Sequence, residues 1–393
     1  MKILAIDDQQ LILLSLQKKL VDLGYEVETA QTGEKGIALY NSFNPDLVIL
    51  DINMPQMSGL EVIKMIQSLG SAATKIMVMS GNTNENTIVE GFDLGIDDYM
   101  KKPVSLNEVA ARVKYLIGAP KQKNIITPKA DDANQMIREK CIGVVIPCYN
   151  EEDRLLSEKF TSFAQNNLGY HLCFVNDGST DNTLAVLEEL RKGREDYISI
   201  YNCEKNGGKA EAVRLGVLHL AKNQELDYIG FLDADLSTDF QDFDDLVKTI
   251  ENSDYKIVSG SRISRMGANI TKQSARQIIS LTINYIIQKI LGMKFKDTQC
   301  GAKIMDRDVV HYMFKDKFIT RWLFDVEIFM RMKKFYGDDV KNLICEQPLK
   351  RWIHADGSKL SMKDSFKILG QLVQIAVHYN KKEAYGLSIK ENR

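Results

Sequence analysis

Acidic residues stand at two places in this 393-residue chain where their spacing could do chemistry. The first set is Asp7, Asp8 and Asp51, followed further along by a hydroxyl, Ser80, and an ammonium, Lys102. Three carboxylates brought to one point repel one another unless a hard divalent cation neutralises them, and Mg²⁺, which prefers oxygen ligands, suits such a cluster best. With that ion in place Asp51 can act as a nucleophile towards a phosphoryl donor. Lys102 would stabilise charge on the transferring group, and the Ser80 hydroxyl would bond a phosphoryl oxygen. The second set is Asp233 and Asp235, separated by one residue, with Gly207-Gly208-Lys209 upstream. Two such carboxylates can hold Mg²⁺ or Mn²⁺ against a departing diphosphate, while the glycines let backbone approach phosphate and Lys209 adds a point charge. Taken alone, each part of this second set is a common loop pattern.

Elements able to position these residues precede each of them. Apolar runs of strand length at residues 3–6, 47–50 and 76–79 alternate with helix-period segments at 11–23 and 60–69. That alternation predicts a doubly wound parallel sheet over residues 1–118. Ligands of such sheets gather at the carboxyl ends of the strands, and there stand Asp7-Asp8, Asp51, Ser80 and, after the short run Asp98-Tyr99-Met100, Lys102. The pattern stops at Gly118-Ala119-Pro120, so residues 119–139 read as a linker, either an extended tether or, over 130–140, a short connecting helix. A second α/β domain spans residues 140–360. Its strands at 142–146, 173–175 and 229–232 run into polar clusters at 147–152, 176–181 and 233–235, and Gly207-Gly208-Lys209 opens a helix. Clusters so placed line one crevice, as a nucleotide site requires.

Hydrophobic residues at 44% and charged residues at 26% exclude a disordered chain. The net charge of −2 hides an acidic head, with 10 Lys/Arg against 15 Asp/Glu in residues 1–118, and a basic tail, with 9 against 4 in 350–393. The six cysteines show no C-x-x-C spacing and the first residues run straight into a strand, so reduced thiols and a cytoplasmic protein are expected. The apolar stretch 278–293 is interrupted by Asn284, Gln288 and Lys289 and falls short of a membrane span. Residues 361–393 read as an amphipathic helix and a polar tail. Within the helix Met362, Phe366, Leu369, Val373 and Ala376 share one face, with Lys363, Lys367, Lys381 and Lys382 nearby. It reads either as an interfacial helix on an anionic membrane or as a helix packed on the second domain.

The first constellation resembles the CheY-like receiver domain of two-component response regulators, a doubly wound (βα)5 fold. By that resemblance Asp7 and Asp8 are the acidic pair, Asp51 is the phosphoacceptor and Asn53 offers its carbonyl to Mg²⁺. Ser80 becomes the switch hydroxyl, Tyr99 the switch aromatic and Lys102 the conserved-type lysine. A sensor histidine kinase or phosphotransfer protein is the implied partner, and the face around residues 84–117 could serve homo-oligomerisation.

The segments VVIPCYNEE, VNDGSTDNT, NGGKAEAVRLG, FLDADLST and SGSR resemble, in order and spacing, family 2 glycosyltransferases of the Rossmann-like GT-A fold. DTQCGAKIM, RWLFDVEIFMR and PLKRWIHADGSKLS look like the branch that moves a hexose from UDP or GDP to dolichyl or another polyprenyl phosphate. The resemblance implies that Pro147, Tyr149, Glu151 and Asp177 hold base and ribose. It places Lys209 near the nucleotide and gives Asp233 and Asp235 the metal and diphosphate. Arg262 and Arg276 would receive the lipid phosphate. Gln299, Cys300 and Gly301 would shape the sugar pocket with Trp322, Asp325 and Glu327, and Trp352 and Lys359 would lie at its rim. Many members of this branch carry membrane-spanning helices after the catalytic domain, whereas here a polar tail follows.

The expected activity is metal-dependent, inverting hexosyl transfer from a nucleotide sugar, UDP favoured over GDP, to polyprenyl phosphate, controlled by phosphorylation of Asp51. An ionised phosphate acceptor needs little help from a base. A soluble glycan or protein acceptor would need one, and Asp325 or Glu327 is then the candidate. A non-catalytic module binding sugar nucleotides is the alternative from another class. No nucleic-acid partner is expected, and membrane contact would be peripheral, at the cytoplasmic face.

Overall fold

The computed structural model describes residues 1–70, 73–81, 84–120, 136–263, 269–270, 274–352 and 362–380, and the side chains at 269–270, 274–282, 352, 362–366 and 380 lie outside that description. The first half runs β1 (Lys2–Ile6), α1 (Gln10–Asp22), β2 (Glu26–Ala30), α2 (Gly33–Phe43), β3 (Leu47–Leu50), α3 (Gly59–Ser68), β4 (Lys75–Ser80), α4 (Glu85–Asp93), β5 (Asp98–Lys101), β6 (Val104–Ser105) and α5 (Leu106–Ile117). Its sheet has the order β2-β1-β3-β4-β5, all parallel. Helices cover both faces, so β3 is buried at every residue and reads as a continuous apolar run. Side-chain caps set the helix starts, among them a capping box of Ser58 and Glu61 on α3 and Ser105 on α5.

The second half runs β7 (Met136–Cys148), α6 (Ser157–Asn166), β8 (Asn167–Asn176), α7 (Thr183–Arg191), β9 (Ile198–Asn202), α8 (Lys209–Leu220), β10 (Tyr228–Leu232), α9 (Phe240–Glu251) and β11 (Ile257–Ser261). Then come β12 (Asn269–Ile270), α10 (Ser274–Leu291), β13 (Ala302–Asp306), α11 (Arg307–Phe314), α12 (Phe324–Tyr336), α13 (Val340–Leu343), β14 (Ile344–Pro348), β15 (Arg351–Trp352) and α14 (Met362–Asn380). The large sheet has the order β14-β11-β13-β10-β7-β8-β9, with β13 antiparallel to both neighbours. Because β13 runs backwards, its first residues lie at the edge where β7, β8 and β10 end. One core cluster, with Val145, Phe231 and Phe329, fills one face of the sheet, and a second, with Val144, Phe174 and Phe243, fills the other.

Two readings of the sequence are corrected here. Residues 136–140, expected in a linker or connecting helix, are the first part of β7, and β6 pairs antiparallel with them. The helix α14 packs on the second domain by Ile368, Leu372 and Ile375, while Leu369 and Val373 of the expected apolar face point outward. No helix among the described residues is long and apolar enough to cross a membrane.

Candidate functional site

The sheet edge of the first half gathers the first constellation. Lys102 Nζ donates to Asp7 Oδ2 at 2.8 Å and to Asp51 Oδ2 at 2.9 Å, and all three side chains are buried. Oxygens of Asp7, Asp8 and Asp51 lie within 4.8 Å of one another. The Gln9 N–H donates to Asp7 Oδ1 at 3.0 Å and the Asn53 N–H to Asp51 Oδ1 at 3.1 Å, which orients the carboxylates. Asn53 Nδ2 donates to Ser80 Oγ at 3.3 Å, and the half-buried Tyr99 is hydrogen-bonded to Ser80 as well. Burial pushes the Asp8 carboxyl up to about 6, and the charges of Asp7 and Asp51 add to it. One ammonium facing three carboxylates leaves excess negative charge, so the donor set fits a divalent cation such as Mg²⁺.

The second constellation gathers at the carboxyl edge of the large sheet. Asp233, after β10, pairs with Lys209 at the start of α8, with Nζ 2.5 Å from Oδ1. A Cβ at Gly301 would overlap the Asp233 carboxylate, so glycine is required where β13 begins. Asp235 is exposed and accepts the Ser237 N–H at 2.9 Å. Burial pushes the Glu151 carboxyl up, and Asp235, Asp181 and Asp233 add to this, so Glu151 faces the same crevice. Pro147 and Cys148 close β7 before the exposed Tyr149, and Asn150, at φ 53°, turns the chain between them and Glu151. Asp233 and Asp235 offer oxygens to a hard cation, with Lys209 as the present counter-charge.

Residues 3–114 match the model of the response regulator receiver domain, and residues 143–314 that of glycosyl transferase family 2. A dolichyl-phosphate beta-glucosyltransferase of Trichomonas vaginalis is 30% identical over 284 residues, 66% of this chain and 83% of the relative. The chain belongs to glycosyl transferase family 2. This glycosyltransferase carries a response regulator receiver at its front. The response regulator MprA of Mycolicibacterium vanbaalenii is 39% identical over 116 residues, 30% of this chain and half of that regulator. Among solved structures, chemotaxis protein CheY4 of Vibrio cholerae shares 32% identity, covering 29% of this chain and 97% of its own, at a TM-score of 0.28.

Several side chains expected to line the glycosyltransferase crevice are committed elsewhere. Glu327 is fully buried, and its carboxylate accepts from the Ile319 and Thr320 N–H groups, the Thr320 hydroxyl and the Tyr379 hydroxyl at 2.7–3.1 Å. It fastens a loop and a helix, and is neither an exposed carboxylate nor a pocket wall. Asp325 is buried and paired with Lys303 Nζ at 2.6 Å. Cys300 lies in the core with its Sγ against Gly260, so burial removes it from the pocket wall. The Asp177 oxygens accept the Gly207 and Gly208 N–H groups at 2.8 and 2.9 Å. Those donors therefore hold the loop's shape and are not directed at phosphate. Arg262 donates to Asp297 through Nε at 2.7 Å and Nη2 at 2.8 Å, which makes the pair close to neutral. Gln299 follows Asp297 at the same edge, its N–H donating to Asp297 Oδ1 at 3.2 Å. Trp322 is 68% exposed and so is not a core residue. The Arg276 and Trp352 side chains and Lys359 lie outside the described residues.

Three residues escaped the sequence reading. Lys303, fully buried on β13, also donates to the Cys300 carbonyl at 2.8 Å. Glu346, on β14, accepts from Ser261 Oγ and from the N–H groups of Lys296 and Asp297, and so presents Asp297 to Arg262. Arg321 lies over Gly208, where a Cβ would meet its Cδ at 3.7 Å. For Lys303 and Arg321 only the segments holding them gave a signal, and for Glu346 none did, because strand polarity decides which side chains meet.

Proposed function

We propose that this glycosyltransferase moves a hexose from a nucleotide sugar to a polyprenyl phosphate, with phosphorylation of Asp51 controlling it. The observation that carries the acceptor class is that both carboxylates named as the candidate base for a hydroxyl acceptor are locked: Glu327 by four hydrogen bonds and Asp325 by Lys303. An ionised phosphate oxygen already carries the charge it needs to attack. The task left to the protein is to position two anions in line and offset their charge. The dolichyl-phosphate acceptor of the relatives supports the same reading.

In this account Tyr149 and Glu151 flank the nucleotide, and Lys209 moves from Asp233 to the diphosphate. Asp233 and Asp235 would hold Mg²⁺ or Mn²⁺, which supplies charge to the departing diphosphate. UDP is favoured over GDP by the family resemblance. Single displacement inverts the anomeric centre. The outward stripe of α14, with Val373 63% and Val377 56% exposed, would rest on the membrane face that holds the acceptor. Asp51 would receive its phosphoryl group from a sensor histidine kinase or phosphotransfer protein.

The test is transfer of labelled sugar from a panel of UDP- and GDP-hexoses, with Mg²⁺ or Mn²⁺, to polyprenyl phosphate and to soluble glycans. Labelled lipid that disappears in Asp235→Asn supports the reading. Labelled soluble glycan without lipid product overturns the acceptor.

A further inference from the structure

The receiver and the transferase meet at the loops that carry the receiver's chemistry. β6 pairs with the start of β7, Val104 opposite Ile137 and Ser105 opposite Met136, and Ile137 is buried in the receiver's own core cluster. Gln9, which directly follows Asp8, reaches across the seam: its Nε2 donates to the Glu139 carbonyl at 2.9 Å and its Oε1 accepts from Cys141 Sγ at 3.2 Å. The Gln10 N–H and the Gln31 side chain donate to the two oxygens of Glu225, at 3.2 and 3.0 Å.

Glu139 is the charged member of this seam. Its carboxyl group packs against Gly81, the residue after Ser80, so closely that a Cβ there would overlap it. Among the described residues no donor bonds this carboxylate. Lys140, its neighbour in the chain, is turned to Asp227 at 3.2 Å. A transferase carboxylate that no donor among the described residues bonds therefore presses on the loop that carries the receiver's switch hydroxyl.

We propose that the Glu139 carboxylate makes docking of the receiver on β7 antagonistic to a phosphoryl group on Asp51, so that phosphorylation loosens the β6–β7 seam. This rests on the reading that Asp51 accepts phosphoryl groups. In that step an Asp51 oxygen forms a bond to phosphorus, the phosphorus–oxygen bond of the donor breaks, and with acetyl phosphate the leaving group is acetate. The product carries about −1.5 to −2 charge near neutral pH, held by Lys102 and Ser80, where Asp51 carried one. Burial raises the pKa of the Tyr99 hydroxyl, and the negative charges of Asp51 and Glu139 both add to that rise, so both carboxylates act on one side chain. Like charges so confined repel, and the relief available is for β7 to lift from β6. The coupling is reciprocal at equilibrium, so docking disfavours the phosphorylated state by the same factor as phosphorylation weakens docking.

Hydrogen exchange of the full chain, before and after acetyl phosphate with Mg²⁺, tests this, with phosphoryl uptake followed by intact mass. In the phosphorylated protein the amides of residues 104–105 and 136–139 should exchange roughly tenfold faster, in the ordinary range of such couplings. Glu139→Gln, nearly isosteric, should blunt that increase and take up phosphoryl groups several-fold faster. Asp51→Asn should show no response. Unchanged seam exchange in a chain shown to be phosphorylated overturns the proposal, as does a Glu139→Gln response equal to the native one. A chain that takes up no phosphoryl group removes the receiver reading itself, and the proposal with it.

Discussion

Lys102 is the counter-charge on which the buried carboxylates of the receiver depend, with Nζ within 2.9 Å of both Asp7 and Asp51. Removing one partner of a buried pair leaves uncompensated charge, a loss of about 3–5 kcal/mol. Lys102→Met should therefore lower stability in urea by about 3 kcal/mol near neutral pH. The loss should shrink at lower pH, because carboxyls raised in the folded variant bind protons there that the unfolded chain has already released. Glu327→Gln should cost about 1–3 kcal/mol in the same measurement, since a buried acceptor of four N–H and O–H donors is weakened, while the folded variant keeps its turnover. A catalytic base at Glu327 would show the reverse, native stability and lost turnover. Asp7, Asp8, Asp51 and Lys102 were legible in the sequence because they stand at or just beyond the ends of strand-length runs, where strand ends place ligands. The commitments of Glu327 and Lys303 were not, because their partners come from segments whose approach no local pattern encodes.

At the scale of elements, β8 carries a titratable group that reports on sheet integrity. His171 Nε2 lies 2.8 Å from Ser199 Oγ on β9, and burial lowers its pKa to about 4 from 6.5. The unfolded chain takes up this proton first, so stability is full above about pH 7 and falls as pH drops through 6.5 towards 4. The contribution lost between pH 7 and pH 5 is about 2 kcal/mol. Urea unfolding of His171→Gln should show a flatter pH dependence by that amount, and an equal slope would refute the assignment. In α14, Leu372→Ala should destabilise by about 2–5 kcal/mol, while Val373→Asp should leave stability within about 0.5 kcal/mol and reduce binding to anionic vesicles. Vesicle binding unchanged in Val373→Asp would exclude that stripe from membrane contact. The start of β7 was hidden because Arg138, Glu139 and Lys140 read as a polar linker. The fold places Arg138 between Asp244, at 2.5 Å, and Glu251, at 2.9 Å, so that a strand can carry it almost buried. The α14 pattern pointed to the helix and to one apolar face, that of Leu369 and Val373, whereas packing on α10 and α12 buries the neighbouring stripe of Ile368, Leu372 and Ile375.

Across the whole molecule, two large sheets have their polar edges built by the same rule, and the two halves meet where β6 pairs antiparallel with the start of β7. The two fold classes were legible from strand and helix alternation. The seam was not, since it joins residues 104–105 to 136–137 across the boundary that the sequence suggested. In the proposed function one end of the chain accepts a phosphoryl group and the other transfers sugar to a lipid phosphate under its control. The most direct test is the rate of labelled sugar transfer from nucleotide sugar to polyprenyl phosphate, measured for the native chain and Asp51→Asn, each with and without acetyl phosphate. Lipid product is expected in both, with a severalfold change in rate on phosphodonor treatment in the native chain alone. A rate indifferent to Asp51 phosphorylation, or no lipid product from any donor in the folded protein, would contradict it.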